Sequence, residues 1–457
     1  MEPKTNIKTG ASLKNSIEQL LENKRYTTLR DIFITLQPVD IASMFDEMPE
    51  EALPLLFRLL PKEIAAETFV EMDDDAQEML IHGFSDTELK EVVDELYVDD
   101  AVDLIEEMPA NVVMRILRQA DPEVRQKINE VLNYPEDSAG SIMTTEFVSL
   151  RPTMTVSDSI KRIRRTGVDK ETIYTCYVTD DNRRLIGMIS IKTLLLAEED
   201  SVVSEIMETN VISVNTLDDQ EEVANRFNKY DFLAIPVVDG ENRLVGIVTV
   251  DDAIDVMQEE TTEDMEMMAA ITPTDKPYMK TGVFETYRKR IPWLLVLMIS
   301  ATFTGMIITS FEDSLAVIPV LTAYIPMLMD TGGNSGSQAS VSVIRGLSLD
   351  EIKFRNMPMV IFKECRVALL CGVTLAAANF LKLLFFDRVD AAVALAVCIT
   401  LVCTVFVAKA IGCSLPIIAK KIGFDPAVMA SPFITTAVDA LSLLMYFQIA
   451  KIFLNIP

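Results

Sequence analysis

A 457-residue chain with 69 Asp+Glu against 41 Lys+Arg is too long for one ordinary core, and its mean hydropathy of +0.25 averages two unlike parts. Residues 1–272 carry 25 Lys+Arg against 57 Asp+Glu, a net charge of −32, whereas residues 273–457 carry 16 against 12, a net charge of +4. An acidic first part of that size excludes nucleic acid as a partner, repels anionic headgroups and attracts divalent cations.

The first 27 residues are polar. They have no apolar h-region, so no secretory signal is expected and the acidic part is expected to stay in the cytosol. Over 28–134 an apolar or small residue followed closely by Pro, Asp or Ser returns every twelve residues. The marks are Leu36, Met48, Leu60, Met72, Phe84, Met108, Ala120 and Leu132, with Leu96 in phase on a looser turn. Apolar pairs three and four residues earlier, such as Met44/Phe45, Leu56/Phe57 and Leu104/Ile105, give one stripe on a two-turn helix. Such helices cannot bury their faces alone, which predicts a helical solenoid over 28–137, mostly scaffold. Asp99 and Asp103, one turn apart, are its candidate cation ligands.

Residues 138–260 contain a duplication. Arg184-Leu185-Ile186-Gly187-Met188-Ile189-Ser190 parallels Arg243-Leu244-Val245-Gly246-Ile247-Val248-Thr249, and the stretch from Ile142-Met143 to Ile163 parallels that from Ile206-Met207 to Phe227. Alternating β-branched residues around each glycine predict a strand pair, with a helix closing each copy. The segment resembles a tandem of CBS domains, here 138–200 and 201–260, modules that often sense adenine nucleotides or ions. The resemblance implies a candidate ribose site at Thr249 and Asp252, and ATP as a candidate ligand of the pair. The first copy lacks the matching acid, because Ser190-Ile191-Lys192 ends in Thr193. A purely structural CBS pair stays open.

Residues 251–286 are rich in acids and methionines, with breaks at Pro273 and Pro277. Asp252, Asp255, Glu259, Glu263 and Asp264 fall on one face or neighbouring faces of a helix, a like-charge crowding that weakens the helix unless cations bind. A solvated acidic spacer is the other reading. The connecting helix is placed at 261–287.

Apolar runs at 292–311, 315–344, 357–386, 391–418 and 430–452 predict five membrane spans within 288–457. Arg288-Lys289-Arg290, Arg345/Lys353/Arg355 and Lys420-Lys421 mark one side, Glu312-Asp313 and Asp387/Asp390 the other. From a cytosolic N-terminus, five spans leave the C-terminus outside. Lys363, Glu364 and Arg366 read as charges at a helix end.

Two stretches at bilayer depth carry chemistry. The second span holds Asp330-Thr331-Gly332-Gly333-Asn334-Ser335-Gly336-Ser337-Gln338, where small residues allow close helix approach and a glycine pair can free carbonyls toward a water-filled path. A dimerisation seam would explain its glycines but not its amides. The last span holds Asp439 in an apolar run, with Thr435 and Thr436 at helical spacing from it and Pro432 below. A carboxylate there is costly and points to cation passage, against the alternative of a plain buried ion pair. Asp330 and Lys409, opposite charges at depth, are expected to pair, unless Lys409 snorkels to the cytosol.

The motifs Thr331-Gly332-Gly333-Asn334-x-Gly336-x-Gln338 and Asp425-Pro426-Ala427, followed by Pro432 and Asp439, resemble the MgtE family of magnesium channels, in the same domain order along nearly the whole chain. The resemblance implies a homodimer in the cell membrane whose pore on the two-fold axis is lined by the second and fifth spans, with Asp439, Asn334, Gln338, Gly332, Gly333, Thr435 and Thr436 along it. It also implies that acids at Asp252, Asp255, Glu260, Glu263 and Asp264 bind cytosolic Mg²⁺ and close the pore; Glu259, Asp99, Asp103 and Asp425 are further candidate regulatory ligands from their own positions in the sequence. Co²⁺ and other divalents stay open as cargo. A membrane-tethered CBS sensor without conduction is the competing class. An enzyme is not expected, because the single histidine, His82, lies in the helical repeats and no His-Glu-x-x-His pattern occurs. The six cysteines form no Cys-x-x-Cys pair, so neither a disulfide framework nor a thiolate site is expected.

Overall fold

A computed structural model describes residues 10–274, 278–279, 281–349, 351–429 and 431–454. Of the positions singled out above, the polar residues 1–9, Pro277, Ala430 and the side chains of Asp313, Leu315 and Ser431 lie outside the described residues. The chain divides into two compact units, 1–257 and 258–457.

The first unit opens with α1 (Gly10–Glu22) and α2 (Tyr26–Phe33), followed by α3 (Pro38–Asp46), α4 (Leu53–Phe57), α5 (Lys62–Val70), α6 (Asp74–Gly83), α7 (Asp86–Val93), α8 (Val98–Glu107), α9 (Ala110–Gln119) and α10 (Pro122–Val131). Helical turns start at 38, 50, 62, 74, 86, 98, 110 and 122, the short 3₁₀ turn at Glu50–Ala52 keeping the twelve-residue period ahead of α4. Four of these starts have a local cause: Pro in the first turn of α3 and α10, an Asp73 side chain accepting from the Ala76 N–H, and a Ser85/Glu88 capping box. The marks Met48, Leu60, Met72, Phe84, Leu96, Met108 and Ala120 are all buried in one continuous core.

Two matching three-stranded sheets follow. β1 (Ser149–Leu150), α11 (Val156–Thr166), β2 (Thr175–Thr179), β3 (Leu185–Ser190), α12 (Ile191–Leu196) and α13 (Val203–Ile206) form the first copy, ordered β1-β2-β3. β4 (Val214–Asn215), α14 (Gln220–Tyr230), β5 (Ala234–Val238) and β6 (Leu244–Thr249) repeat it, ordered β4-β5-β6. In both, the first pair is parallel, the second antiparallel, and a bulge falls at the same place, Val178/Thr179 and Val237/Val238. The two glycines of the duplicated motif explain the pairing of copies. A Cβ on Gly187 would sit 2.6 Å from the Met207 sulfur, and one on Gly246 2.6 Å from the Met143 sulfur. Each strand therefore lets the other copy's opening segment lie directly on it, which Met188↔Glu208 and Thr144↔Ile247 bridges complete.

α15 (Val250–Met268) continues from the second copy as one 19-residue helix. The expected connecting helix therefore begins at 250 rather than 261 and ends at 268, well before the next helix. The second unit then contains α16 (Val283–Ser310), α17 (Glu312–Val317), α18 (Ile325–Ser348), α19 (Met357–Phe385), α20 (Ala391–Ile422) and α21 (Ser431–Leu454). Among the described residues four helices are long and apolar enough to cross a membrane: Val283–Ser310, Phe354–Phe385, Ala391–Ile422 and Ala427–Leu454. The expected second span departs from this pattern. It is broken before Ile325 by a 3₁₀ stretch, Pro319–Tyr324, and α18 carries too many Gly, Ser, Asn and Gln residues to read as apolar. α20 is the hub of the unit, packed against α18, α19 and α21, while α16 buries little of its surface.

Candidate ion-conducting and cation-sensing sites

α18 has two faces. Gly332, Gly333 and Gly336 are buried, whereas Asp330, Asn334, Gln338 and Arg345 are exposed on the opposite side at intervals of one to two turns. The glycines serve contact. A Cβ on Gly332 would lie 2.7 Å from Thr404 Cγ2, one on Gly333 2.9 Å from Thr435 Cγ2, and one on Gly336 2.7 Å from Ile434 Cγ2. From α20, a Cβ on Gly412 would lie 2.2 Å from the Gly336 carbonyl oxygen. This corrects the expectation that Gly332 and Gly333 free their carbonyls toward a path. α18 is helical throughout, so those carbonyls stay in its ladder, and the missing side chains bring α20 and α21 against it.

α21 places Asp439 half-buried on the face toward α18, near enough to Asp330 for the two charges to repel. Its Oδ1 is enclosed and has no hydrogen-bond partner among the described residues. Thr436 donates to the Pro432 carbonyl at 3.0 Å, and Thr435 lies against Gly333. Thr436 therefore satisfies its own helix and keeps only lone pairs for a cation.

The expected Asp330–Lys409 pair does not form. Lys409 is buried and pairs with Glu364 of α19 at 3.6 Å, while Asp330 is exposed. Glu364 lies two turns into α19 and points inward, so it is not a helix-end charge, whereas Lys363 and Arg366 beside it are exposed. Snorkelling is also excluded, because Lys409 is only 5% exposed.

In the first unit Asp99 is buried and its surroundings are carboxylates. Asp252, Asp100 and Glu171 all repel it, and burial together with that repulsion holds Asp99 well above the usual carboxylate range. The same causes push Asp100 to about 7, Glu171 to about 8 and Asp252 to about 6. Asp251 contributes to each of these last three. Glu171 Oε2 is buried without a hydrogen-bond partner among the described residues. Asp103, the expected companion of Asp99, is exposed one turn on. Three members of this cluster, Asp100, Asp251 and Glu171, escaped the sequence reading. Asp100 and Asp251 adjoin chosen acids, but Glu171 sits in a loop whose position only the fold determines.

Asp252 also bears on the ribose reading. Its carboxylate accepts from the Thr249 hydroxyl and from the Thr249 N–H at 3.2 Å, closing the first turn of α15. Ser190 and Thr193 make the matching turn in the first copy, hydroxyl to hydroxyl at 2.8 Å. Thr249 and Asp252 thus cap a helix, and the cavity of about 140 Å³ in the CBS pair is lined instead by Thr175, Ser190, Glu208, Asp231, Phe232 and their neighbours.

Within the second unit, the last turns of α15 carry Asp264. Its carboxylate accepts from the Ser348 hydroxyl at 3.3 Å, and burial plus the charge of Asp425 push it upward. Asp425 itself holds the Ala427 N–H at 2.7 Å, and Lys420 donates to the Leu347 carbonyl at 2.9 Å. Asp264 and Asp425 are therefore brought together at the end of α18. Asp255 is raised by burial and by Asp251, Glu259 is exposed, and Glu260 and Glu263 are half-buried. Among the described residues no three His, Cys, Asp or Glu side chains are grouped to hold a metal directly. Mg²⁺ suits such acids all the same, since it keeps several waters and uses one or two carboxylates.

Apolar helices with an embedded carboxylate, behind a helical-repeat domain and a CBS pair, define a membrane protein of the cation-transporter class. The family model described as divalent cation transporter matches residues 325–449, that of the MgtE intracellular N domain 36–137, and that of the CBS domain 139–200 and 203–259. The magnesium transporter MgtE of Thermus thermophilus is 35% identical over 444 residues, 96% of this chain and 98% of that one; MgtE of Bacillus subtilis is 34% identical over 436 residues, 95% and 96%. The chain belongs to the MgtE family of magnesium transporters. Among solved structures, the cytosolic domain of the Mg²⁺ channel MgtE in complex with ATP is 37% identical with a TM-score of 0.51, covering 53% of this chain and 99% of that one. The soluble part of a magnesium transporter is 32% identical with a TM-score of 0.52, covering 55% and 98%.

Proposed function

We propose that two copies of the chain form a Mg²⁺ pathway through the cell membrane, with α16, α18, α19, α20 and α21 as spans, the N-terminus cytosolic and the C-terminus outside. The single observation that carries this reading is Asp439, a carboxylate set in an apolar helix near Asp330, with an enclosed oxygen that has no hydrogen-bond partner among the described residues. Two like charges at depth are tolerable where a cation passes. Asn334 and Gln338, exposed on α18 in the single chain, would line the path with the second copy's equivalents. A hydrated Mg²⁺ needs little more than such carboxylate and amide oxygens, because it gives up water reluctantly. The conduction reading is preferred to the tethered sensor, which has no use for Asp439. Mg²⁺ uptake into liposomes carrying the purified protein, with Co²⁺ and Ca²⁺ as competitors, tests it; a wild-type protein that moves no Mg²⁺ refutes it.

The acids of the first unit and of α15 supply the gate in this reading. Within each unit the acids, Asp99, Asp103, Asp252 and Asp255 in the first and Glu259, Glu260, Glu263, Asp264 and Asp425 in the second, repel until Mg²⁺ binds, so cytosolic Mg²⁺ compacts the acidic part and shuts the path. Neutralising Asp252, Asp255 and Glu263 together is expected to weaken the protection from proteolysis that millimolar-range Mg²⁺ confers. Equal protection in both proteins would sink this mechanism. ATP is a second candidate ligand, placed by this reading at the cavity beside Phe232 rather than at Thr249 and Asp252.

A pH dependence follows from the same cluster. The folded state keeps protons on Asp99, Asp100, Glu171 and Asp252 that the unfolded chain loses near its ordinary carboxylate range of about 4. Between about pH 4 and 8 the native state binds more protons, so without Mg²⁺ the stability falls as pH rises through that window. Thermal unfolding of residues 1–257 is expected at a lower temperature at pH 8 than at pH 6, with saturating Mg²⁺ removing most of the difference. Identical Mg²⁺-free transitions at the two pH values would contradict the cluster's charge repulsion.

A further inference from the structure

α19 carries one exposed stripe of mixed chemistry. Met359, Phe362, Lys363, Arg366, Leu370 and Val373 are linked by steps of three and four residues, so they share a helix face, and all six are exposed. Glu364 turns the other way, to Lys409 of α20, which leaves the two cations on the side that α20 does not cover. Neither cation has an acid partner among the described residues. Arg366 lies over the Phe362 ring instead, 5.8 Å from its centroid. At the far end of α19, Lys382 pairs with Asp387 at 2.9 Å. Positive charge is thus neutralised within the chain at one end of the helix and left open at the other.

Depth indicates what meets the open pair. From Arg366 to the last residue of α19, Phe385, the helix rises about 28 Å at about 1.5 Å per residue, close to the thickness of a bilayer's hydrocarbon layer. Residues 367–381 carry no charge. Seating that run in hydrocarbon brings Lys363 and Arg366 to the level of the lipid phosphates, with Leu370 and Val373 beside the acyl chains. Cβ atoms three residues apart on a helix are about 5–6 Å from each other, a spacing at which one phosphate accepts from both an ammonium and a guanidinium. We propose that this face of α19 binds a phospholipid of net negative headgroup, its phosphate held between Lys363 and Arg366 and its acyl chains along Leu370 and Val373. A zwitterionic lipid offers the same phosphate but brings a cation of its own, which the pair repels, so the face selects an anionic headgroup. The Phe362 ring supports the Arg366 guanidinium from behind and keeps its fork at the headgroup level. The lipid site does not depend on the reading of Asp439.

The test titrates the full chain, purified in detergent, with phosphatidylglycerol or phosphatidylcholine and reads the lipid-bound masses by native mass spectrometry. Each cation beside an anionic lipid contributes a factor of about five in affinity. Lys363→Gln/Arg366→Gln is therefore expected to weaken phosphatidylglycerol binding about thirtyfold and to leave phosphatidylcholine binding unchanged. The single substitutions, each expected to weaken it about fivefold, give the same answer if the double variant does not fold. Arg288→Gln/Arg290→Gln removes the same charge from exposed positions on α16 and is expected to retain the tightest phosphatidylglycerol site. Wild-type phosphatidylglycerol affinity in Lys363→Gln/Arg366→Gln overturns the proposal. So does an equal loss in Arg288→Gln/Arg290→Gln, which would show overall charge alone. A change in subunit number confined to the Lys363 and Arg366 variants also overturns it, because a second copy would then be what covers this face.

Discussion

Replacing Lys409 with alanine is expected to cost the membrane unit about 3–5 kcal/mol, the penalty for leaving a buried charge without its partner. The partner is Glu364, 3.6 Å away, with side chains 6% and 14% exposed on the lysine and glutamate sides. α19 and α20 also meet where the Asn379 amide donates to Cys398 Sγ at 4.0 Å and at Gly372 of α19, where a Cβ would lie 3.3 Å from the Val402 Cα. The pair therefore supplies register more than adhesion. Glu364→Ala should be as damaging, since it strands the ammonium. The double substitution Glu364→Leu/Lys409→Met should recover most of the loss, because an apolar pair of similar volume removes both desolvation costs together. The folded fraction after detergent extraction, read by size-exclusion chromatography over a temperature series, reports all three. Single variants as stable as wild type, or a double variant no better than either, would show that the pair has no structural role. Asp330→Ala should cost no stability, since Asp330 is exposed and, among the described residues, pairs with no lysine of α20.

The contrast between Asp330 and Glu364 shows where the sequence was legible and where it was not. Periodicity carries local structure well. The twelve-residue marks correspond to helical turns starting every twelve residues, and the duplicated glycine motif corresponds to two sheets with the same order and the same bulge. These features depend on neighbours in the chain. Partner choice depends on which faces of distant helices meet, and hydropathy does not encode that. Asp330 is the acid that depth alone offers Lys409, Glu364 reading as a helix-end charge, and only the packing of α19 on α20 selects Glu364. Glu171 joined the acidic cluster for the same reason, through a loop with no motif of its own. The glycines of α18 were recognised as special, but their reason differs from the expected one: they are close-contact points for Thr404, Thr435 and Ile434 rather than breaks in the helix. Asp252 was picked out by a motif and turned out to be held by Thr249, a helix cap that sequence alone does not separate from a ribose ligand.

Asp439→Asn is expected to abolish Mg²⁺ movement while leaving the protein folded. Asn keeps the volume and one acceptor but removes the charge, and two symmetry-related carboxylates are what the proposed path offers to a divalent ion. The folded state should tolerate the change, because the enclosed Oδ1 has no hydrogen-bond partner among the described residues to lose. Removing a charge that Asp330 repels should if anything relieve strain between α18 and α21. Asp439→Glu keeps the charge and extends it by about 1.5 Å, one further carbon–carbon bond. It is expected to conduct poorly and to discriminate less between Mg²⁺ and competing divalents. The most direct measurement is Mg²⁺ uptake into liposomes reconstituted with equal amounts of folded wild-type and Asp439→Asn protein. Uptake by the wild type and none above empty liposomes for Asp439→Asn is the result expected; near wild-type uptake by a well-folded Asp439→Asn protein would contradict the assignment of this carboxylate to the ion path.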